Sequence, residues 1–451
     1  MKSEQLKDDA LDWIHSLSRF GIKPGLERIK AMLEMLGNPH QQIRFVHIAG
    51  TNGKGSTAAM LASILKAAGY RVGLYTSPYL QSFSNRMAIN GHDISHEELV
   101  ELVGQVRPVV EEVTADERFG QPTEFEVVTL LALTYFARRQ VDPVVLEVGL
   151  GGRLDATNAV TPLLSIITNV SLDHTDVLGD TVEAVAAEKA GIIKPDVPVL
   201  TASDDRKVLE IISSRASELN APLFCFFPPH ASSSREIKSP AFYRQSFTDQ
   251  GQTFTYRGYE RSFDNLFIPL LGAYQLCNAA TALAALELLE NQGIFVEEDA
   301  VRRGLSATIW PGRLELLKHN PLLVVDGAHN PAAMKHLAEA IPDYFSYRRL
   351  ILVFGMMADK NALEMMFAIL PLSDMAIFTK AGLPRAADPG YLAGVALHQL
   401  HYEQRKIKIV EEIGPALETG LSLADAGDLV LVTGSFYTVS DARAYWKQTA
   451  R

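Results

Sequence analysis

The sequence has few cysteines, no long apolar run and no excess of positive charge. Its two cysteines, Cys225 and Cys277, argue against a disulfide framework and against a cysteine-rich zinc site. No apolar run is long enough to span a bilayer, and the polar residues 1–5 are not followed by the apolar region of a secretion signal. The net charge of −11 argues against a surface for nucleic acid or anionic membranes. We therefore expect a cytoplasmic protein with neither nucleic-acid nor membrane partners.

The chain has the composition of a globular protein, and strand-like segments alternate with helix-like ones. With 451 residues, 47% of them apolar and 21% charged, it is expected to form two or three domains. The alternation predicts an α/β fold with a mainly parallel sheet. The predicted strands are 43–48, 71–75, 143–148, 163–168, 197–201, 322–325, 350–354, 374–378, 406–410 and 429–433, and predicted helices include 58–66, 124–139, 182–191 and 274–290.

Two interruptions of this alternation define the predicted domains. Residues 231–268 carry aromatic side chains among polar residues and glycines, a pattern typical of antiparallel hairpins. Trp310-Pro311-Gly312-Arg313 precedes a second α/β series, so we place a domain boundary near residue 308. The prediction is an N-terminal domain over residues 1–307, which includes the hairpins, and a C-terminal α/β domain over residues 308–451.

A predicted strand and a predicted helix are separated by the glycine-rich turn Ala49-Gly50-Thr51-Asn52-Gly53-Lys54-Gly55-Ser56-Thr57. Such a turn points backbone N–H groups and a helix N-terminus at one place, which suits a phosphate. Lys54 adds a point charge for the outer phosphates, and Ser56 or Thr57 offers a hydroxyl for Mg²⁺. The turn departs from the general P-loop pattern at Ile48 and Gly55, and an ordinary strand–helix turn is the alternative. We predict an ATP site formed by Asn52, Gly53, Lys54, Gly55 and Ser56.

Two further polar side chains lie where predicted strands end. Glu147 ends an apolar strand, and a buried carboxylate is costly unless it is paired or bound to a metal such as Mg²⁺. His174 follows the next predicted strand, at the sheet edge where α/β proteins bind ligands. The alternatives are a Glu147 paired with a local arginine and a structural His174. We favour the metal role because both positions converge on the edge that carries the P-loop.

Motifs of one known family occur in order along nearly the whole chain. They lie at residues 25–29, 37–39, 50–56, 76–78, 123–126, 147–158, 168–175, 188–191, 310–313, 326–331 and 433–435. With these motifs the chain resembles the folylpolyglutamate synthase and dihydrofolate synthase family of the Mur ligase superfamily. The resemblance implies an N-terminal P-loop ATPase domain of the Mur ligase type and a Rossmann-like, glutamate-binding C-terminal domain.

The resemblance also implies the reaction, in which ATP drives amide formation between a folate carboxylate and L-glutamate. The carboxylate first receives the γ-phosphoryl group, and the glutamate amine then attacks the resulting acyl phosphate. Two Mg²⁺ ions and fixed cations would offset the charge of an anionic acceptor beside a triphosphate. Closure of two domains would exclude water from the acyl phosphate.

By the same resemblance, Ser77, Glu147 and His174 bind magnesium, with Ser56 beside one ion. Lys189 matches a lysine that is carbamylated to N-carboxylysine and bridges to the second ion; the alternative is an unmodified phosphate-binding lysine. The implied catalytic residues are Lys54, His174 and Lys189.

The remaining implied contacts concern the substrates. Asn278, Arg313 and Asp326 would contact ATP, and His329 and Ser435 would hold glutamate, with capping or loop hydrogen bonds as the alternative for the latter two. The implied folate and pterin contacts are Arg86, Thr123, Glu124, Phe125, Glu126 and Arg153. Alternatively, Phe125 only begins the core face of a helix, and Arg86 is a surface residue.

Departures from the family pattern and the choice of acceptor leave alternatives open. Tyr274 and Tyr79 stand where members commonly have histidine, and Asn85 replaces a frequent glutamate. Arg153 resembles the arginine of bifunctional members, which favours activity on dihydropteroate as well as on folates. The alternatives are a monofunctional folylpolyglutamate synthase and a non-catalytic nucleotide-binding regulator. A cell-wall ligase would need a UDP-binding domain before the P-loop, where we see too little chain. We expect a monomer.

Overall fold

The structure is a computed structural model that describes residues 2–21, 23–226 and 240–449. The helices are α1 (Lys2–Ser16), α2 (Glu27–Met35), α3 (Lys54–Ala67), α4 (His96–Ala115), α5 (Glu124–Arg138), α6 (Thr175–Leu178), α7 (Val182–Ala190), α8 (Arg206–Glu218), α9 (Ala273–Glu290), α10 (Glu298–Ser306), α11 (Pro331–Tyr344), α12 (Ala362–Ile369), α13 (Pro389–His398), α14 (Ile413–Leu423) and α15 (Phe436–Thr449). Among these described helices, none has the length and hydropathy needed to cross a membrane.

The strands are β1 (Phe45–Ala49), β2 (Gly73–Tyr75), β3 (Met87–Ile89), β4 (His92–Asp93), β5 (Val144–Glu147), β6 (Leu164–Ile167), β7 (Val199–Thr201), β8 (Leu223–Cys225), β9 (Ala241–Thr248), β10 (Gly251–Arg257), β11 (Ser262–Ile268), β12 (Glu315–His319), β13 (Leu322–Val325), β14 (Leu350–Phe354), β15 (Met375–Lys380), β16 (Ile407–Glu412) and β17 (Leu429–Thr433).

The chain folds into two compact units. The first comprises Met1–Tyr243, Thr255–Leu266 and Cys277–Thr308, and the second comprises Arg244–Phe254, Phe267–Leu276 and Ile309–Arg451. The division predicted near residue 308 stays a prediction, because the second unit also holds two shorter segments that precede this position.

The first unit is built on an eight-stranded sheet with the order β4-β3-β2-β5-β1-β6-β7-β8. The pairs β2-β3 and β3-β4 are antiparallel, and the others are parallel. β1, β5 and β6 are buried along their whole length, as expected for parallel strands covered on both faces. Ile48 of β1 lies in register with Glu147 on one side and Ile166 on the other. The segments after β1, β5 and β6 therefore leave the sheet at the same edge.

The second unit contains a six-stranded sheet with the order β12-β13-β17-β14-β15-β16. Only β12-β13 is antiparallel; the other pairs are parallel. Three predicted strands, 322–325, 350–354 and 429–433, have the observed bounds. Within the first unit, the predicted strand 197–201 begins only at Val199, since Pro198 has no N–H group to donate to a neighbouring strand.

A separate three-stranded sheet has the order β11-β10-β9. Residues 249–250 join β9 to β10, and residues 258–261 join β10 to β11. Connections this short exclude a parallel crossover, so these strands form hairpins. The hairpin prediction therefore agrees with the structure over residues 241–268, whereas its residues 231–239 lie outside the described part of the chain.

Helix α3, which follows the glycine-rich turn, packs closely against α10 in the first unit. A Cβ atom added to Gly304 of α10 would lie 2.3 Å from the Cα of Ile64 in α3. Ser63 Oγ also donates to the carbonyl oxygen of Gly304, at 2.6 Å. Because the obstructing atoms belong to backbone, no side-chain rotation could relieve the clash. The position of α3 therefore depends on glycine at residue 304.

Replacing Gly304 by alanine is expected to lower the midpoint of urea unfolding, because α3 and α10 must separate to admit the methyl group. We expect a loss of about 1–3 kcal/mol, the usual cost of overpacking. The matched control is Gly104→Ala in α4, where an added Cβ meets nothing within 4 Å. Inside a helix this control should be neutral or stabilising by up to about 1 kcal/mol. Equal midpoints for the two variants would contradict the packing argument.

Candidate active site

The glycine-rich turn has two positions at which no side chain fits. Gly50 has a φ of +152°, and a Cβ there would lie 1.9 Å from Thr168 Oγ1. Gly53 has a φ of +84°, and a Cβ there would lie 2.4 Å from Asn278 Oδ1. The structure thus places the predicted ATP residue Asn278, which belongs to α9, directly against the turn.

The segment after β6 anchors this turn. Thr168 Oγ1 donates to the carbonyl oxygen of Asn52 at 2.7 Å, and the backbone N–H of Asn52 donates to Asn169 Oδ1 at 2.9 Å. No role of Thr168 or Asn169 was predicted from the sequence. The available signal was their position at the end of a strand that neighbours the P-loop strand.

Two lysines converge on one carbonyl oxygen of the turn. Lys54 Nζ donates to the carbonyl oxygen of Gly50 at 3.0 Å, and Lys189 Nζ donates to the same oxygen at 2.9 Å. Burial, followed by the charge of Lys54, lowers the pKa of Lys189 to about 7, although Asp173 and Asp155 act in the opposite direction. A substantial fraction of Lys189 is therefore a neutral amine near pH 7.

The predicted magnesium ligands are placed on neighbouring segments of the first unit. Glu147 is 4% exposed, and its Oε2 accepts a hydrogen bond from the backbone N–H of Ser77 at 3.1 Å. Ser56 is buried in the first turn of α3. His174 is the N-cap residue just before α6, and its Nε2 lies 3.8 Å from Asp173 Oδ1.

The donor chemistry of this set fits Mg²⁺. Within the described residues, no three histidine, cysteine or acidic side chains are grouped so that they could hold a metal. The predicted set includes only two residues of those types, Glu147 and His174, and its other donors are serine hydroxyls and a carboxylated Lys189. Oxygen donors are the ligands that Mg²⁺ prefers.

The predicted pterin segment forms the start of α5. Thr123 caps this helix, and its backbone N–H and its hydroxyl donate to Glu126 Oε2 at 2.8 and 2.9 Å. Arg28 Nε donates to both oxygens of Glu126, at 2.9 and 3.1 Å. Both carboxylate oxygens thus already accept hydrogen bonds from the protein.

Phe125 packs its ring against Gly149, where an added Cβ would lie 2.3 Å from the ring. Glu124 is the first residue of α5.

The two predicted acceptor arginines differ in their surroundings. The Nη2 of Arg153 forms a salt bridge with Glu188 at 2.7 Å, and 58% of the arginine side chain is exposed. Arg86 lies over the rings of Tyr79 and Phe83, at 5.2 and 5.8 Å from their centroids. Arg86 is therefore a half-buried residue stacked on aromatic rings rather than a simple surface arginine.

A buried relay supports the loop that carries Arg153. The hydroxyl of Thr157 donates to Asp155 Oδ1 at 2.5 Å, so its oxygen must accept from His47 Nε2, at 2.9 Å. Asp155 Oδ2 in turn accepts from the backbone N–H of Leu150 at 2.8 Å. Burial, followed by the charge of Lys194, lowers the pKa of His47 to about 3. The imidazole is therefore neutral, and it carries its proton on Nε2.

Two predicted nucleotide residues, Arg313 and Asp326, lie in the second unit. This carboxylate is 4% exposed and accepts from the hydroxyl of Tyr274 at 3.3 Å and from the backbone N–H groups of Leu314 and Ala328, each at 2.8 Å. Tyr274, a departure from the family pattern, thus donates to one of the predicted ATP residues. Arg313 stacks on Phe436, with the guanidinium carbon 3.9 Å from the ring centroid.

The predicted glutamate residues lie in the same unit. His329 Nδ1 is 2.9 Å from the carbonyl oxygen of Gly327, so this nitrogen carries a proton. Ser435 is 1% exposed, and its Oγ accepts from the backbone N–H of Thr438 at 3.0 Å at the start of α15. Ser435 therefore makes the capping contact that we considered as its alternative role.

Comparison with known proteins identifies the family. The Mur ligase middle domain matches residues 48–286, and the Mur ligase glutamate ligase domain matches residues 312–436. Dihydrofolate synthase/folylpolyglutamate synthase of Bacillus subtilis is 38% identical over 441 residues, which cover 96% of this chain and 98% of the relative. The chain belongs to the folylpolyglutamate synthase/dihydrofolate synthase family of Mur ligases. Another family member, folylpolyglutamate synthase of Lacticaseibacillus casei, is 35% identical over 96% of this chain and 97% of its own.

Solved structures of the family have the same fold. Mycobacterium tuberculosis folylpolyglutamate synthase, complexed with ADP and AMPPCP, superposes with a TM-score of 0.88 at 32% identity, over 97% of this chain and 98% of that one. Escherichia coli FolC in complex with DHPP and ADP gives a TM-score of 0.84 at 31% identity, over 98% of both chains. The predicted family, α/β fold class and ligase class are confirmed, whereas the roles of individual residues stay predictions.

The neutral state of His47 gives a testable pH dependence. Below pH 6.5 the unfolded chain binds a proton at this histidine but the folded chain does not, so its contribution is present above pH 6.5 and lost as pH falls towards 3. His47→Gln keeps a donor for Thr157 and removes the titration. Between pH 7 and pH 5, urea unfolding should show the wild type losing about 2 kcal/mol relative to this variant. The control is His92→Gln, which removes an exposed histidine. If the free energies of unfolding of the wild type and of His47→Gln differ by the same amount at pH 7 and pH 5, the imidazole of His47 is not held neutral by burial.

Proposed function

We propose that this protein is an ATP-dependent ligase that adds L-glutamate to folates and, as a bifunctional enzyme, also to dihydropteroate. The observation that carries the proposal is the P-loop of a Mur ligase fold with Lys54 and Lys189 both directed at the carbonyl of Gly50. Relatives named for both activities cover nearly the whole chain. An active monomer in the cytoplasm, without nucleic-acid or membrane partners, is part of the proposal.

The reaction proceeds in two steps, phosphoryl transfer to the acceptor and then amide formation. A carboxylate oxygen of the acceptor attacks the γ-phosphorus of ATP, which forms an acyl phosphate and releases ADP. The amine of glutamate then attacks the acyl carbon, loses a proton and expels inorganic phosphate to leave the amide. Lys54 and the N–H groups at the start of α3 hold the phosphates and oppose their charge. Exclusion of water protects the acyl phosphate from hydrolysis.

Magnesium would be held by Ser77, Glu147, His174 and carbamylated Lys189, with Ser56 beside it. Two bound ions would neutralise phosphate charge and polarise the transferred phosphoryl group. Carbamylation needs the neutral amine, because the nitrogen lone pair attacks CO₂ and a proton is released. A pKa of about 7 makes that form of Lys189 available at neutral pH.

The remaining residues divide between the substrates. In the proposal Asn52, Gly53, Gly55, Asn278, Arg313 and Asp326 serve the nucleotide, and His329 and Ser435 serve glutamate. Residues 123–126, Arg86 and Arg153 serve the folate or dihydropteroate acceptor. The predicted domains, 1–307 for ATP and 308–451 for glutamate, are kept as part of the proposal.

The decisive assay measures ADP release by the pure protein with Mg²⁺, ATP and L-glutamate, and identifies products by mass. We expect turnover with tetrahydrofolate and, separately, with dihydropteroate. Arg153→Ala should lower kcat/KM for dihydropteroate by about 10- to 100-fold, because a charge-assisted contact is lost, and leave tetrahydrofolate within about 3-fold. The control is Arg138→Ala, which removes another exposed arginine paired with a glutamate.

The outcomes of this assay separate the candidate functions. Turnover with tetrahydrofolate alone would indicate a monofunctional folylpolyglutamate synthase and refute the role of Arg153. ATP binding without glutamate-dependent ADP release from either acceptor would indicate a nucleotide-binding regulator.

Carbamylation of Lys189 can be tested directly by ¹³C NMR in ¹³C-bicarbonate. We expect a carbamate signal in the wild type that declines below pH 7, where the amine becomes protonated. The signal should vanish in Lys189→Ala together with ligase activity. Lys194→Ala is the matched control, since burial also lowers the pKa of Lys194, to about 8. A signal that survives in Lys189→Ala would assign the carbamate to another amine.

A further inference from the structure

Phe436 contacts two side chains that the proposed function assigns to different substrates. The guanidinium carbon of Arg313 lies 3.9 Å from the centroid of the Phe436 ring. The imidazole of His329 lies with its centroid 5.6 Å from the same ring, at an interplanar angle of 54°. Arg313 is the proposed nucleotide contact and His329 the proposed glutamate contact, so one aromatic ring touches a residue of each group.

Gly327 closes the space around this ring. A Cβ added to Gly327 would lie 3.0 Å from Arg313 Nη1 and 3.3 Å from Phe436 Cε1, so both side chains would have to shift by a few tenths of an ångström to admit a larger residue. The carbonyl oxygen of Gly327 also lies 2.9 Å from His329 Nδ1. Arg313, His329 and Phe436 therefore pack around one short backbone segment.

The helix that begins with Phe436 is fixed relative to the turn that carries Arg313. Arg443 Nη2 of α15 donates to Glu315 Oε1 at 2.7 Å, and the arginine is buried. Glu315 Oε2 accepts from the backbone N–H of Gly312, the residue before Arg313, at 2.7 Å. Phe436 is thus presented to Arg313 by an anchored helix and not by a free loop.

We propose that Phe436 is a positioning residue that holds both Arg313 and His329 in their binding orientations. The ring face attracts the guanidinium through its negative quadrupole, and the ring also packs against the imidazole. The inference rests on the proposed roles of Arg313 and His329. It extends the proposed function, because one residue would orient both a nucleotide contact and a glutamate contact. The proposed folate contacts lie in the first unit and do not include a neighbour of Phe436.

The test compares Phe436→Leu, which keeps an apolar side chain and removes the ring, with its neighbour. Tyr437→Leu is the matched control, because Tyr437 also stacks on an arginine, Arg385, with the guanidinium carbon 5.0 Å from the ring centroid. KM values for ATP, glutamate and tetrahydrofolate, kcat and Tm are measured for both. Phe436→Tyr, which retains the ring, is the conservative variant.

Phe436→Leu should raise KM for ATP by about 3- to 30-fold and KM for glutamate by about 2- to 10-fold, and change KM for tetrahydrofolate by less than 2-fold. Phe436→Tyr should have the wild-type KM values for ATP and glutamate, because it retains the ring. Tyr437→Leu should leave the KM values for all three substrates unchanged. Unchanged values for ATP and glutamate in Phe436→Leu, or a parallel rise for all three substrates, would overturn the proposal. A wild type without glutamate-dependent ADP release would instead overturn the proposed function itself.

Discussion

The turn between β1 and α3 depends on two residues that have no side chain. At Gly50 a Cβ would collide with Thr168, and at Gly53 it would collide with Asn278. The turn therefore packs against the residue after β6 and against α9, which are distant from it in sequence. A side chain at Gly50 would force the backbone of the turn away from Thr168, and the carbonyl oxygen of Gly50 is the acceptor to which both Lys54 and Lys189 donate. The location of the two lysine Nζ atoms thus depends on this steric constraint.

The same arrangement explains how an acidic protein keeps the positive charge of Lys54 for anionic substrates. The net charge is −11, yet Lys54 forms no salt bridge in the described part of the chain. The hydrogen-bond acceptors of Lys54 are the backbone carbonyl oxygens of Gly50 and Thr51, which orient its ammonium group without cancelling the charge. By contrast, Arg28 and Arg153 are neutralised by Glu126 and Glu188. Local placement, not net charge, decides which cations remain available to a phosphate.

Much of this site could be predicted from the sequence because parallel strands end at one sheet edge. The positions of Glu147 and of the P-loop followed from apolar strands and the residues just after them. The start of α3 was not predicted: we expected a helix from residue 58, but it begins at Lys54, directly after the N-cap Gly53, whose backbone is left-handed. Two other contacts join residues more than a hundred positions apart: the hydrogen bond between His47 and Thr157, and the stacking of Arg313 on Phe436. No local sequence pattern predicts such contacts.

Tyr274, which we predicted to depart from the family pattern, donates a hydrogen bond to the buried carboxylate of Asp326. Burial raises the pKa of Asp326, and Arg313, two backbone N–H groups and the Tyr274 hydroxyl all act to lower it. Burial and the charge of Asp326 also raise the pKa of Tyr274 well above its usual value, so the phenol keeps its proton at neutral pH. A tyrosine at this position is therefore a permanent donor, whereas a histidine changes its protonation near pH 6.5. Tyr274 therefore supplies Asp326 with a hydrogen bond that does not vary over the physiological range of pH.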